Sequence, residues 1–274
     1  MSRATVRDIH EIYERGRTLT MLTAYDATIA RFVDAGGVDM ILVGDSAGDN
    51  HLGYDNTLPV TLEEALSNTA AVSRATEDAM VIGDLPFLSY GTSMPESLRN
   101  AGRFLKEAGA DAVKLETAPD GETTIEIVDR LTELGIPVQA HIGLTPQRIQ
   151  QLGGAFVQGR DHANSAAAAE LRETAQQLEA AGAFSIVLEG VTEAVGRDVT
   201  ETLDIPTIGI GAGRFVDGQV LVVNDMLGLN EEQYTLSRRY ADLDETITEA
   251  VREYVHDVEA GEFPAEEHVF DPVE

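Results

Sequence analysis

Short, nearly all-apolar runs alternate with longer amphipathic stretches along the chain. The apolar runs predict strands over Thr18–Ala24, Met40–Gly44, Met80–Gly83, Ala112–Leu115, Pro137–Ala140, Phe184–Leu188, Thr207–Ile210 and Gln219–Val223. Several, such as Met40-Ile-Leu-Val43 and Ser185-Ile-Val-Leu188, lack polar alternation. That suits strands covered on both faces, as in a parallel sheet. The segments between them read as helices. Thr61 with Glu64, and Ser93 with Glu96, have the spacing of capping boxes. Thr145-Pro146 reads as an N-cap followed by proline in the first turn, and Glu170–Ala181 as a helix ending at Gly182.

Eight strands with helical crossovers predict an α/β fold, a (β/α)8 TIM barrel, with a doubly wound sheet as the alternative. One interval is too short for the pattern. Only about a dozen residues separate the starts of the last two strands, which leaves no room for a full crossover helix. No Pro/Ser/Gly-rich linker divides the chain. A single domain over residues 1–274 is expected, with a short N-terminal helical segment and an acidic arm from about residue 261.

Composition narrows the function classes. The 274 residues carry 19 Lys+Arg against 48 Asp+Glu, a net charge of −29. Such a chain repels phosphate backbones and anionic membranes, so neither nucleic acid nor membrane is an expected partner. Only Lys106 and Lys114 are lysines; the other 17 basic residues are arginines. Acid excess with few lysines resembles proteins from cells with high internal salt, so a halophilic protein is expected. There is no cysteine, which excludes thiolate metal sites and a Cys nucleophile. The N-terminus lacks the apolar stretch of a signal peptide, and no run approaches about 18 apolar residues; a cytoplasmic location is expected.

In a barrel, chemistry sits at the C-terminal ends of the strands. The polar residues just past each run are Tyr25 and Asp26, Asp45 and Ser46, Asp84, Lys114 and Glu116, His141, Glu189, and Asn224 with Asp225. Asp45 and Asp84 each follow a glycine, which would let a ligand or another backbone approach. Two such carboxylates repel unless a cation lies between them, and hard oxygen ligands suit Mg2+. Capping of the following turn is the structural alternative for each. Lys114 is costly to bury unpaired. It could neutralise a carboxylate or enolate, form a Schiff base, or sit in a structural ion pair. Glu189, at the mouth of an apolar strand, is placed to act as a general base or as a rim ion pair. His141 could orient a carbonyl oxygen or be a satisfied core histidine. Gly209-Ile-Gly-Ala-Gly213 lacks the dinucleotide-binding spacing and reads as a tight strand-end turn.

Taken together, these segments resemble the ketopantoate hydroxymethyltransferase family. The motifs are Thr-Ala-Tyr-Asp26, Val-Gly-Asp-Ser46, Thr-Leu-Pro-Val-Thr61, Asp-Leu-Pro-Phe87, Val-Lys-Leu-Glu116, His-Ile-Gly-Leu-Thr-Pro-Gln147, Val-Gln-Gly-Arg160, Val-Leu-Glu189 and Ile-Gly-Ile-Gly-Ala-Gly213. A weaker echo lies in residues 261–268. The resemblance implies a (β/α)8 barrel with one Mg2+ per subunit and 5,10-methylenetetrahydrofolate as co-substrate. The reaction would convert 3-methyl-2-oxobutanoate to 2-dehydropantoate through a Mg2+-stabilised enolate, in pantothenate and coenzyme A biosynthesis. It implies Asp45 and Asp84 as metal ligands, with Glu116 nearby or acting through water. Ser46, with Asp45, would meet the keto acid, Lys114 would contact it, and Glu189 would be the base. His141 and Asp84 are also expected at the substrate. Arg160 or Arg214 could meet the folate glutamate. A homo-oligomer, commonly a decamer, is implied. Another Mg2+-dependent 2-oxo-acid C–C lyase of the same barrel type is the alternative. Asp49-Asn50 and the glycine after Glu189 depart from the usual pattern without removing a chemical group.

The charge makes its own prediction. Screening relieves acid–acid repulsion, so the melting temperature should rise by several degrees from low to molar KCl. A flat melting temperature over that range would contradict it.

Overall fold

The computed structural model describes residues 3–119, 121–154, 157, 159, 166–230 and 236–270. Its contacts divide the chain into two compact units, 1–223 and 224–274. The first unit is the barrel.

Eight parallel strands close on themselves: β1 Leu19–Thr23, β2 Met40–Val43, β3 Met80–Asp84, β4 Ala112–Glu116, β5 Val138–Gly143, β6 Ser185–Glu189, β7 Thr207–Ile210 and β8 Gly218–Leu221. Closure comes from β8 pairing with β1, Leu19 opposite Gly218 through Leu22 opposite Leu221. The doubly wound sheet is therefore excluded, and each expected strand is present to within a few residues. Crossovers from β1 to β7 carry helices, among them Ala27–Ala35, Leu62–Ala75, Met94–Lys106, Glu122–Glu133, Ala166–Ala180 and Glu193–Thr200. The link from β7 to β8, residues 211–217, has none, as its length required. Asp217 fastens this link. Its Oδ2 accepts the Thr207 N–H at 2.9 Å, and its carbonyl accepts the Leu19 N–H at 2.8 Å.

Local signals mostly act as their chemistry dictates. Thr61 and Glu64 form the reciprocal capping box ahead of Leu62–Ala75. The second expected box does not form: Ser93 is the N-cap of Met94–Lys106 but its side chain makes no capping bond, and Thr92 donates to Glu96 instead, at 2.7 Å. Thr145 likewise makes no side-chain cap, although Pro146 does open the short 3-10 turn Pro146–Arg148.

Side chains alternate across each strand, and the alternation sorts them into two cores. Val113, Leu115, Val138, Ala140, Ile142, Ile186 and Leu188 pack outward with Phe104, Val128, Leu131 and Leu178 of the helices. Met21, Met40, Leu42, Met80, Ile82, Ala112, Val187 and Ile208 share the other core with Ile9 of the N-terminal helix Val6–Glu14. That helix adds a partly buried apolar stripe, Val6, Ile12 and Tyr13, to the barrel interior. Leu19, Met40 and Met80, the first residues of their strands, lie in the same cluster. The N-terminal end of the barrel is thus largely sealed with apolar side chains, with the buried Gln139–Ser185 hydrogen bond at 2.9 Å among them, and the charged groups are left to the other end.

The second unit contains the helix Leu243–Ala260, which ends at Gly261 in the left-handed conformation. The acidic arm begins there. Phe263 packs edge-on to Tyr254, with ring centroids 5.8 Å apart. No helix among the described residues is long and apolar enough to cross a membrane.

Gly83 illustrates how tightly strand and helix are matched. A Cβ there would lie 2.3 Å from Cδ1 of the fully buried Phe104. Gly83→Ala should therefore cost about 1–3 kcal/mol in urea unfolding. Gly102→Ala, where a Cβ meets nothing within 4 Å, should be neutral or stabilising by up to about 1 kcal/mol. Equal effects at the two positions would contradict this packing.

Candidate active site

Strand alternation that sends Val113 and Leu115 outward sends Lys114 and Glu116 inward, and the same parity holds for Asp84, His141 and Glu189. Register then sets the neighbours: Asp84 stands opposite Lys114, Glu116 opposite His141, and Gly143 opposite Glu189. Asp45 and Ser46 enter from the turn after β2. Five of these residues, Asp45, Asp84, Lys114, Glu116 and His141, are buried.

The strongest contact is the pair of Lys114 with Asp84. The ammonium donates to both carboxylate oxygens, at 2.8 and 2.7 Å. Asp84 also accepts the Asp45 N–H at 3.1 Å. Capping is thereby excluded for Asp84, and Asp45 does not cap either, since its side chain accepts from Gln147 Nε2 at 2.9 Å. Asp26 does cap: it accepts the N–H groups of Thr28 and Ile29. The glycines before the two acids both allow close packing. Gly44 makes room for Ser46 Oγ and Gly83 for Phe104.

Three buried carboxylates, Asp45, Asp84 and Glu116, face one ammonium. If all ionise, two negative charges are left in excess, and burial penalises them. Burial, reinforced by Asp84, pushes the Asp45 carboxyl up to about 7. Burial, with Asp45 next in weight, raises the Glu116 carboxyl well above the usual range. Burial opposes a charged Lys114, but Asp84, Asp45 and Glu116 outweigh it and hold the ammonium above ordinary lysine. His141 is pushed down by burial, against the opposing pull of Glu189. It is therefore a neutral imidazole at physiological pH. Its Nε2 lies 3.3 Å from Glu189 Oε2 and its Nδ1 3.7 Å from Glu116 Oε1, without the alignment of hydrogen bonds. Both ring nitrogens and Glu116 Oε1 lack hydrogen-bond partners among the described residues. Ser46 Oγ pairs with the buried Tyr25 hydroxyl at 2.9 Å. Burial raises the Tyr25 pKa, so this hydroxyl keeps its proton.

Two residues in this cluster were not expected from the sequence. Gln147 reads there as part of a helix start, and Tyr90 lies in an unremarked loop; the contacts that reveal them span 102 and 57 positions in the chain. Other expected residues are elsewhere. The exposed Arg214 guanidinium is forked onto Glu193, at 2.8 Å from each nitrogen. Arg160 lies outside the described residues. Asn224 and Asp225 belong to the second unit, where Asp225 accepts from Asn230 at 2.6 Å. Within the Gly209–Gly213 segment, Gly209 and Ile210 end β7 and residues 211–213 form the turn, packed on the helix Glu193–Thr200, since a Cβ at Gly213 would lie 2.5 Å from Glu193.

A sequence profile of the ketopantoate hydroxymethyltransferase family matches residues 3–266. The chain belongs to the ketopantoate hydroxymethyltransferase family. A 3-methyl-2-oxobutanoate hydroxymethyltransferase of Halobacterium salinarum is 53% identical over 264 residues, 96% of this chain and 94% of its own. One from Syntrophus aciditrophicus is 51% identical over 268 residues, 97% and 96% of the two chains. Solved barrels share the fold at low identity. Phosphonopyruvate hydrolase superposes with a TM-score of 0.63 at 13% identity, over 100% of this chain and 92% of its own. A 2,3-dimethylmalate lyase does so with 0.59 at 17%, over 97% and 91%. In this member of the hydroxymethyltransferase family, the inward cluster is where strand ends bring acid, base and ammonium together.

The raised Asp45 carboxyl predicts a pH effect of definite sign. Its pKa moves from an ordinary 3.8 to about 7 on folding. The stability it contributes is full below about pH 4 and is lost as pH rises through 7. In excess chelator, Asp45→Asn should gain on the wild type by a few kcal/mol, to order of magnitude, between pH 4 and pH 8 in urea unfolding. A constant difference across that range would refute the assignment.

Proposed function

We propose that this chain transfers a hydroxymethyl group from 5,10-methylenetetrahydrofolate to 3-methyl-2-oxobutanoate. The products are 2-dehydropantoate and tetrahydrofolate, and a water supplies the hydroxyl oxygen. The observation that carries the reading is the buried inward cluster: an excess of carboxylate, one ammonium, and a neutral histidine beside Glu189 at the mouth of a family-typical barrel.

The donor set fits Mg2+ by its chemistry. It is all oxygen, it is over-supplied with negative charge, and Glu116 keeps a buried oxygen with no hydrogen-bond partner among the described residues. No three acidic or imidazole side chains among the described residues stand close enough to hold an ion as they are. Asp45, Glu116 and Asp84 would hold it, and Asp84 would do so only as its pair with Lys114 loosens. When bound, the ion supplies Lewis-acid polarisation of the keto acid.

The residues themselves do the rest. Lys114 offers positive charge to the substrate carboxylate in a protein whose overall field repels anions. Ser46, held by Tyr25, provides a hydroxyl for the same group. Glu189 takes the proton from C3, and the electron pair left there attacks the one-carbon unit. Water displaces both folate nitrogens from the methylene carbon and gives them its two hydrogens, which frees tetrahydrofolate. The C3 pair forms the C–C bond to the resulting formaldehyde-level carbon, whose oxygen takes the proton back from Glu189 and becomes the hydroxyl. Neutral His141, beside Glu189, offers an N–H to the keto oxygen on which charge develops. The acid-rich surface and its resemblance to high-salt proteins are part of the same reading, as are a cytoplasmic location and a homo-oligomeric state.

Glu189→Gln tests the assignment of the base. Exchange of the C3 hydrogen of 3-methyl-2-oxobutanoate with deuterium, followed by NMR, should fall at least about 100-fold. Binding of the keto acid should stay within a few fold. Exchange at the wild-type rate would make another group the base.

A further inference from the structure

Gln147 touches both carboxylates that flank Asp84. Its side-chain Nε2 donates to Asp45 Oδ2 at 2.9 Å and to the Leu85 carbonyl at 2.9 Å. Its backbone N–H donates to Glu116 Oε2 at 3.1 Å. That N–H is free because Gln147 lies in the first turn of Pro146–Arg148, where no earlier carbonyl claims it. The amide orientation is fixed from both ends. The Leu85 backbone carbonyl can only accept, so the nitrogen must face it. On the other side Tyr90 donates its hydroxyl to Gln147 Oε1 at 2.8 Å. Tyr90 is pinned in turn by the Glu116 N–H, which donates to the same hydroxyl at 3.0 Å.

This network holds one oxygen of each carboxylate and leaves the other. Among the described residues, Glu116 Oε1 has no hydrogen-bond partner, with His141 Nδ1 3.7 Å away, and the one side-chain hydrogen bond of Asp45 runs to Oδ2. We propose that Gln147, locked by Tyr90, is a positioning residue that aims the second oxygens of Asp45 and Glu116 at a divalent cation. The inference rests on the reading of the site as a Mg2+ site. Gln147 touches neither substrate nor ion. It acts by denying Asp45 and Glu116 the rotations that would bury those oxygens elsewhere, as outer residues of metal sites do.

The test measures Mg2+ binding by calorimetry on the purified, full-length protein, without keto acid or folate. The wild type should bind Mg2+. Gln147→Met keeps the side-chain volume and removes all three side-chain hydrogen bonds. It should bind roughly 10–100-fold more weakly, while circular dichroism shows a folded protein. Tyr90→Phe frees the amide to turn and should weaken Mg2+ several-fold. The double variant should match Gln147→Met within about twofold, because Tyr90 acts through Gln147. A purely packing role would lower the urea midpoint and leave the Mg2+ affinity of the folded protein unchanged. Folded Gln147→Met with wild-type affinity therefore overturns the proposal. If that variant fails to fold, wild-type affinity in Tyr90→Phe overturns it. Absence of Mg2+ binding by the wild type overturns the reading of the site itself, and the positioning role with it.

Discussion

Burying more negative charge than positive charge inside one end of a barrel is the constraint on which this molecule turns. The bidentate contact of Lys114 with Asp84 neutralises one carboxylate and leaves Asp45 and Glu116 uncompensated. In a low-dielectric interior such groups either keep their protons or acquire a cation. The rise of Asp45 and Glu116 above ordinary carboxylates expresses the first option. The proposed Mg2+ expresses the second. Under the proposed function, a site balanced between the two would place an electron-withdrawing centre next to Glu189, which is what proton removal beside a ketone requires.

The rest of the fold keeps this imbalance in one place. Eight strands of matched parity point Asp84, Lys114, Glu116, His141 and Glu189 into the same space. The interior below is mostly apolar and joined by Ile9 of the first helix. Outside, close contacts such as Gly83 on Phe104 fix the strand ends that carry the acids. Hydrogen bonds from Gln147 then constrain two carboxylates whose mutual repulsion would otherwise spread them.

Much of this was legible in the sequence. Apolar runs marked every strand, because a parallel sheet buries both faces. The rule that chemistry sits at strand C-termini then named Asp45, Asp84, Lys114, Glu116, His141 and Glu189 without any knowledge of contacts. What stayed hidden was whatever depends on distant pairing. Lys114 could have met Glu116 two residues away; register placed it against Asp84, 30 positions earlier. Gln147 looks like an ordinary first-turn residue until Asp45 and Tyr90 are folded beside it. Asp45 and Asp84 are plausible caps in sequence, and only the folded structure ties them to Gln147 and Lys114 instead. Ser93 failed as a capping side chain because neighbouring Thr92 reached Glu96 instead.

Cation binding coupled to proton loss is the direct signature of the buried charge excess. It can be read by Mg2+ calorimetry in buffers of different ionisation heat, which counts the protons released on binding. The expected result is proton release at pH 6, where Asp45 with its value of about 7 still holds its proton, and a smaller release in Asp45→Asn. Mg2+ binding with no proton released at pH 6, or release undiminished in Asp45→Asn, would contradict the charge balance on which the site is built.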